Sequence, residues 1–496
     1  MISSSKNNAL YLAIDQGGHA SRAIVFDGLG HQIARAEVAI TTATPKPGWV
    51  EHEAGEMLDS VRQAIATVIQ QPGVRGKKIR AAGLATQRAS MVCWDKLSGE
   101  PLSAVISWQD RRHQAWLAQL ASKQKFIHQH TGLMLSPHYG GSKIRWCLDH
   151  LVEVQQALEN GRLTIGPLAS YLAFKLLRQT PLLADPANAS RTQLWNIEQH
   201  DWDPALLALY QIPGDILPPA SLSHQHFGDI EIAGQCIPLT VITGDQSAAL
   251  FGWGEPQPDT AYINIGTGAF VQRTTTAPLH ADALLSSVVY RDERGACYTL
   301  EGTVNGAARA LQWLARREGI EHLEQQLSSW MEEIRQPPLF LNGVAGLAAP
   351  YWAADFDSRF IGAGGASARA VAVAESIVFL LQRIMEESER YLPPASRLRV
   401  SGGLAGLTPL CQRLADLSGK PVVRPKTLEA TARGLAYLCA GQPGIWPVEA
   451  EETFTPRKAT PLIQRYFDWR AKLEKGLSET GGVKAGYTRG SGPAAL

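Results

Sequence analysis

Ala9-Leu10-Tyr11-Leu12-Ala13-Ile14 is an unbroken apolar run, closed by Asp15-Gln16-Gly17-Gly18. A run of that length ending in a turn predicts a buried strand. Ala23-Ile24-Val25-Phe26 predicts the return strand, Asp27-Gly28 the next turn and the alternation over 32–40 a third strand. The chain therefore opens as a three-stranded meander. Residues 54–70 set Leu58, Val61, Ile65 and Val68/Ile69 on one face and predict an amphipathic helix, and 79–85 returns to strand. The second half repeats this grammar. A strand over 260–265 meets Gly266-Thr267-Gly268, and 269–272 is the return strand. A long apolar helix over 367–391 and a strand over 398–400 lead into Ser401-Gly402-Gly403. Such internal similarity points to a duplicated α/β domain. The boundary falls at Gly252-Trp253-Gly254-Glu255-Pro256-Gln257-Pro258, which has linker chemistry and divides the chain into 1–253 and 254–475. Residues 476–496 hold six glycines without apolar periodicity and read as a flexible tail.

Charge and composition narrow the class. Lys plus Arg is 47 against 46 for Asp plus Glu, so the 496-residue chain carries +1. That excludes a protein built to neutralise a nucleic-acid backbone, but not one that holds a single nucleotide. The six cysteines show no CxxC or zinc spacing, which suits a reducing cytosol and a cytoplasmic protein. The richest apolar stretch, 370–381, is broken by Glu375, so no membrane partner is expected. Glycine is the outlier, with 45 residues, above the roughly 7% of average proteins.

Three places join these elements to chemistry. A strand–Gly turn–strand gathers backbone N–H groups and lets a bulky anion approach them. Asp15-Gln16-Gly17-Gly18 taken singly is also an ordinary hairpin. Gly266-Thr267-Gly268 stands at the matching place in the second half, so a nucleotide between the halves would meet both turns. Asp15 suits a hydrated Mg²⁺, which takes one or two carboxylates together with phosphate oxygens. No GxGxxG or GxxxxGKS/T follows a strand, which argues against Rossmann and Walker sites. Asp245 sits between a predicted strand over 237–242 and a helix starting at Ser247. At the carboxyl end of a strand it can take a proton from a hydroxyl nucleophile; as a helix N-cap it would be structural. Thr86-Gln87-Arg88 and Trp108-Gln109-Asp110-Arg111-Arg112 each follow an apolar segment. An indole covering a C–H face beside charged groups suits a sugar-like ligand; the same residues also suit a surface ion-pair cluster. His224-Gln225-His226 lacks further metal-ligand spacing and reads as a solvated loop.

Taken in order, the segments resemble the FGGY carbohydrate kinases, and within them the glycerol-kinase branch, from about residue 10 to 441. The resemblance rests on Ile14-Asp15-Gln16-Gly17, Pro47-Gly48-Trp49-Val50-Glu51-His52, Gln87-Arg88, Trp108-Gln109-Asp110-Arg111-Arg112 and Lys143-Ile144-Arg145-Trp146. Asn188-Ala189-Ser190-Arg191-Thr192, Gly244-Asp245-Gln246, Gly266-Thr267-Gly268, Leu300-Glu301-Gly302, Gln312-Trp313-Leu314, Pro350-Tyr351-Trp352 and Gly402-Gly403 complete it. It implies an actin-like ATPase fold, with two RNase H-like domains around a nucleotide cleft. The implied activity is ATP-dependent transfer of the γ-phosphoryl group to a hydroxyl of a small polyol or sugar. The resemblance also implies roles. Asp245 is the general base, and Arg88, Trp108, His138 and Gln246 bind the acceptor with it. Asp15 stands near Mg²⁺. Gly17, Gly18, His19 and Arg22 surround the first phosphate turn, Gly266 and Thr267 form the second, and Gln312, Gly403 and Leu407 surround ribose and adenine. Members of the family often form dimers or tetramers; no interface is readable in this sequence.

Several positions depart from the glycerol-kinase pattern. Gly18 and His19 replace two threonines, Ala89 a glutamate, His138 a tyrosine, Ser401 an aspartate and Leu407 an asparagine. A lost carboxylate at 89 weakens the hold on glycerol hydroxyls by about 1–3 kcal/mol and leaves room for a larger polyol or a ketose. The departures also fit a degenerate, non-catalytic nucleotide-binding relative, but Asp15, Asp245 and Gly266-Thr267, which the chemistry needs, persist.

Overall fold

A computed structural model describes residues 9–426, 429–444, 446–447 and 451–479. The first half builds a six-stranded sheet from β1 (Leu10–Gln16), β2 (Ala20–Phe26), β3 (Gln32–Ala39), β4 (Ile79–Thr86), β5 (His224–Ile232) and β6 (Gln235–Gly244), in the order β5-β6-β4-β1-β2-β3. β1, β2 and β3 form the antiparallel meander, β4 runs parallel to β1 and β6 parallel to β4, and β5 folds back on the edge. His224 and His226 therefore lie on an edge strand, not in the expected loop. β1 is buried throughout because it is covered on both faces. Leu10, Leu12 and Ile14 face α1 (Ala54–Ile69), which brings Met57, Leu58, Val61 and Ile65 against them, while Tyr11 and Ala13 point to the opposite core. A smaller sheet of Glu51–His52, Met91–Asp95, Val105–Ile106 and Leu163–Pro167, with α2 (Gly140–His150), stands beside the main one. Helix α3 (Asp245–Leu250) starts directly at the end of β6.

The second half contains β7 (Thr260–Ile265), β8 (Ala269–Thr275), β9 (Leu285–Asp292), β10 (Gly295–Val304), β11 (Arg397–Ser401), β12 (Val422–Pro425) and β13 (Glu451–Phe454). Their order is β9-β10-β8-β7-β11-β12-β13. Every strand of the first sheet has a counterpart in the second, which adds β9 at its edge. β7, β8 and β10 take the places of β1, β2 and β3, and β11, β12 and β13 those of β4, β6 and β5, with the same parallel and antiparallel senses. α4 (Ala308–Glu318) and α5 (Ala366–Ser388) bury their apolar faces against this second sheet.

Helix α6 (Ala430–Cys439) crosses back to the first sheet, where Leu435 and Ala436 share a core with Tyr11, Ala13, Ala81 and Ala85. Gly434 lets it approach the Ala248 carbonyl of α3, where a side chain would collide. α7 (Thr460–Glu479) continues through residues 476–479, the start of the expected tail; 480–496 lie outside the described residues. Tyr466, Trp469 and Leu473 recur at helical spacing and bury against Phe379 and its neighbours, which makes this segment a helix despite its glycine-rich sequel. Among the described residues no helix is long and apolar enough to cross a membrane.

Candidate active site

Both Gly turns are built on one plan. Between β1 and β2 the Gly17 N–H donates to the Ala20 carbonyl at 3.0 Å, and the carbonyl of His19 accepts from Ile40 N–H at 3.0 Å. The Gly18 carbonyl accepts from Thr42 Oγ1 at 3.2 Å. Between β7 and β8 the Gly266 N–H donates to the Gly268 carbonyl at 2.8 Å. The Gly266 carbonyl accepts from Ala308 N–H at 3.0 Å, and the Thr267 carbonyl from Ala307 and Arg309 N–H at 3.2 and 3.1 Å, all at the start of α4. In each turn the carbonyls are spent, whereas the successive N–H groups of Gly18 and His19, and of Thr267 and Gly268, meet no acceptor among the described residues. Two adjacent unspent amides make a concavity for an anion. Gly402 (φ +87°) closes on the second turn. A Cβ there would lie 2.7 Å from the Ile265 carbonyl oxygen, so glycine is required. Its neighbour Gly403 is exposed, and Leu407 caps the helix Thr408–Ser418 and packs on the second core. Gln312, on α4, lines a cleft of about 530 Å³ with Arg309, Trp313, Arg316, Arg317 and Val344.

Two carboxylates stand at strand ends on the side of the first turn. Asp15 is 6% exposed, and Arg22 Nη1 approaches its Oδ2 at 3.3 Å. Burial, with the Asp245 charge adding to it, raises the Asp15 carboxyl to about 7 against the pull of Arg22. Asp245 is the first residue of α3, with Gly244 as the N-cap, so the capping reading does not describe it. Its Oδ1 accepts from Gln246 N–H at 2.7 Å. Arg88 Nε lies 3.9 Å from the same oxygen, and the Arg88 stem passes over Gly244, where any side chain would block it. Burial lifts the Asp245 carboxyl above its ordinary range although Arg88 opposes it. The Arg88 guanidinium is itself nine-tenths buried, and burial, reinforced by Arg191, lowers it to about 10.

Behind this pair lies a buried contact between the halves. Arg191 and Glu301 form an ion pair in which both side chains are almost fully buried. Glu301 also accepts from Gln272 Nε2 at 3.0 Å and from Ser287 Oγ at 3.2 Å. Burial alone would raise the Glu301 carboxyl, but Arg191 and Arg88 outweigh it and hold the group below its usual range. Neither residue has a local sequence signal beyond its place in the family-like segments. Only the fold brings β10 against residues 190–192.

On the acceptor side the structure divides the Trp108–Arg112 cluster. Trp108 is 40% exposed, and its carbonyl meets His138 Nδ1 at 3.1 Å, so the two lie together at the rim. Asp110 and Arg112 turn inward. Arg112 Nη2 lies 2.8 Å from Asp110 Oδ2 and 2.7 Å from Glu51, with its guanidinium 3.9 Å from the Trp49 ring and 4.6 Å from that of Trp146. These two are a buried scaffold, neither a sugar contact nor a surface pair. Lys143, a buried side chain with no role legible in the sequence, donates to the Ala89 carbonyl at 2.8 Å and the His138 carbonyl at 2.6 Å. It thereby ties the segment after Arg88, including Ala89 at φ +63°, to the His138 rim. Gln87 links Arg88 to the first turn, its N–H donating to the Gln16 carbonyl at 2.9 Å.

Comparison with known proteins decides what this cleft belongs to. Residues 10–252 match the N-terminal domain of the FGGY family of carbohydrate kinases, and residues 261–442 match its C-terminal domain. The chain belongs to the FGGY family. Similar curated relatives include a glycerol kinase of Alkalilimnicola ehrlichii, 36% identical over 92% of this chain and 94% of that protein. Another is a glycerol kinase of Dechloromonas aromatica, 35% identical over 95% and 98%. Among solved structures, Plasmodium falciparum glycerol kinase with ADP superposes with a TM-score of 0.86 at 23% identity, covering 95% of this chain and 98% of that one. A xylulose kinase from Brucella ovis gives 0.85 at 20%, covering 95% and 100%. The fold is the two-domain actin-like ATPase fold of the FGGY kinases. The protein is an ATP-dependent phosphotransferase with an alcohol group on a small polyol or sugar as acceptor.

Proposed function

We propose that this FGGY kinase phosphorylates a small polyol in the manner of a glycerol kinase, with Asp245 as general base. The supporting observation is Asp245 beside the nine-tenths-buried Arg88, close enough to Asp15 at the first turn for their charges to interact. Residues 1–253 carry the acceptor side and the first phosphate turn, and 254–475 the nucleotide side. Arg88 and Gln246 hold acceptor hydroxyls, and Trp108 and His138 close the rim. Asp245 takes the proton of the attacking hydroxyl, whose oxygen bonds to the γ-phosphorus while ADP leaves. The turn at Gly17, Gly18 and His19, with Arg22, faces one side of the phosphates through the Gly18 and His19 amides, and the turn at Gly266 and Thr267 faces the other through the Thr267 and Gly268 amides. Gln312, Gly403 and Leu407 surround the nucleoside. Asp15 would hold a hydrated Mg²⁺, which takes one or two carboxylates alongside phosphate oxygens, and such an ion would neutralise phosphate charge. Six free thiols suit a cytoplasmic setting.

A screen of glycerol, tetritols, pentitols and ketoses, read as acceptor-dependent ADP release, tests the assignment. Glycerol or another short polyol should give the highest kcat/KM. Preference for a longer polyol or ketose would follow from Ala89, which brings no carboxylate to the pocket. ATP binding without turnover on any of them would refute the kinase reading.

The raised Asp245 carboxyl fixes a sign for pH. Protonation removes the proton acceptor, so kcat/KM should fall as pH drops, with the limb above the ordinary carboxylate range. A profile flat down to about pH 4.5 would take Asp245 out of the proton path.

A further inference from the structure

Arg309 stands where the two sides of the cleft meet. Its N–H donates to the Thr267 carbonyl at 3.1 Å, which fixes its backbone against the second Gly turn. Ala307 and Ala308 spend their N–H groups on the same turn, so these amides of α4 are not available to an anion. Positive charge at this point has to come from a side chain. The Arg309 side chain is exposed, has no hydrogen bond or ion pair among the described residues, and lines the cleft of about 530 Å³ with Gln312. Its field also reaches the acceptor rim. After burial, Lys143, Arg111 and Arg309 are the groups that push the His138 imidazole down. Three arginines of the site already face carboxylates: Arg22 faces Asp15, Arg88 faces Asp245 and Arg191 faces Glu301. Arg309 faces none. Arg316 and Arg317 line the same cleft but stand about two turns further along α4 from the Gly turn.

We propose that Arg309 is a further catalytic residue, whose guanidinium donates hydrogen bonds to non-bridging oxygens of the phosphoryl group as it crosses from ATP to the acceptor. This rests on the kinase reading above. In the step, the acceptor oxygen forms its bond to the γ-phosphorus and its proton passes to Asp245. The bond from the γ-phosphorus to the β,γ-bridging oxygen breaks, and its electron pair leaves with ADP. Arg309 exchanges no proton. It holds the three equatorial oxygens in the planar arrangement they take between donor and acceptor, so its effect belongs to kcat more than to ground-state binding.

The test is steady-state kinetics of the full chain and of Arg309→Ala and Arg309→Lys, with the best acceptor from the screen. Binding of ADP alone, and of ADP with aluminium fluoride and acceptor, is measured alongside. Arg309→Ala should lower kcat about 10²–10³-fold with ADP affinity within about threefold of the parent, and should weaken the aluminium fluoride complex in proportion. Arg309→Lys should recover part of kcat, and added guanidinium should rescue Arg309→Ala. Unchanged kcat in Arg309→Ala, or a loss fully matched by weaker ADP binding, overturns the proposal and leaves the kinase reading standing. A parent chain without turnover on any acceptor overturns both.

Discussion

Asp245→Asn should abolish turnover, with kcat down by about 10³-fold or more, while ADP still binds within a few-fold of the parent. Asparagine keeps the size of the side chain and can still accept from the Gln246 N–H, so the local geometry should persist. What it loses is the basic carboxylate oxygen beside Arg88. The nucleotide turns use backbone amides that the change does not touch, so catalysis and donor binding should separate. Isothermal titration with ADP next to a coupled ADP-release assay reads both. A variant that retains a tenth or more of the parent kcat would show that the proton leaves by another route.

Glu301→Ala should be the most destabilising single change near the site, costing about 3–5 kcal/mol. Arg191 is almost fully buried and would keep its charge with its closest counter-ion gone, while Gln272 and Ser287 lose their acceptor. Denaturant unfolding measures the cost. The double variant Arg191→Met with Glu301→Leu removes both charges and should regain a large part of it, because the penalty lies in the orphaned charge and not in the missing attraction. A Glu301→Ala chain as stable as the parent would mean that water reaches Arg191.

The strands that carry the turns are legible in the sequence because their chemistry is local. β1 and β7 are short apolar runs that stop at glycine-containing turns, and the observed β7 spans the 260–265 predicted from that pattern. Their mutual correspondence follows from finding the same pattern twice. What stays hidden depends on partners far away in sequence. Asp110 and Arg112 look like a surface cluster until Trp49, far upstream in the chain and drawn close only by tertiary contact, stacks on the guanidinium. Lys143 has no partner in view in the sequence, and only the approach of Ala89 and His138 gives its ammonium two carbonyls to hold. Arg191 and Glu301 lie 110 positions apart and meet only when the halves close together. Helix α7 is partly obscured by the glycines that follow it, although its aromatic spacing is in view.

Helix α6 carries a consequence for the order in which the protein can be made. The face of the first sheet that shows Tyr11, Ala13, Ala81 and Ala85 is covered by residues 430–439, far downstream of the strands themselves. A nascent chain emerging from the ribosome can pair β1, β2 and β3 early, yet must leave that face bare until nearly the whole chain has been translated. Fragments ending near residue 253 should therefore be sticky and dependent on chaperones, and supplying the downstream half in trans should quiet them.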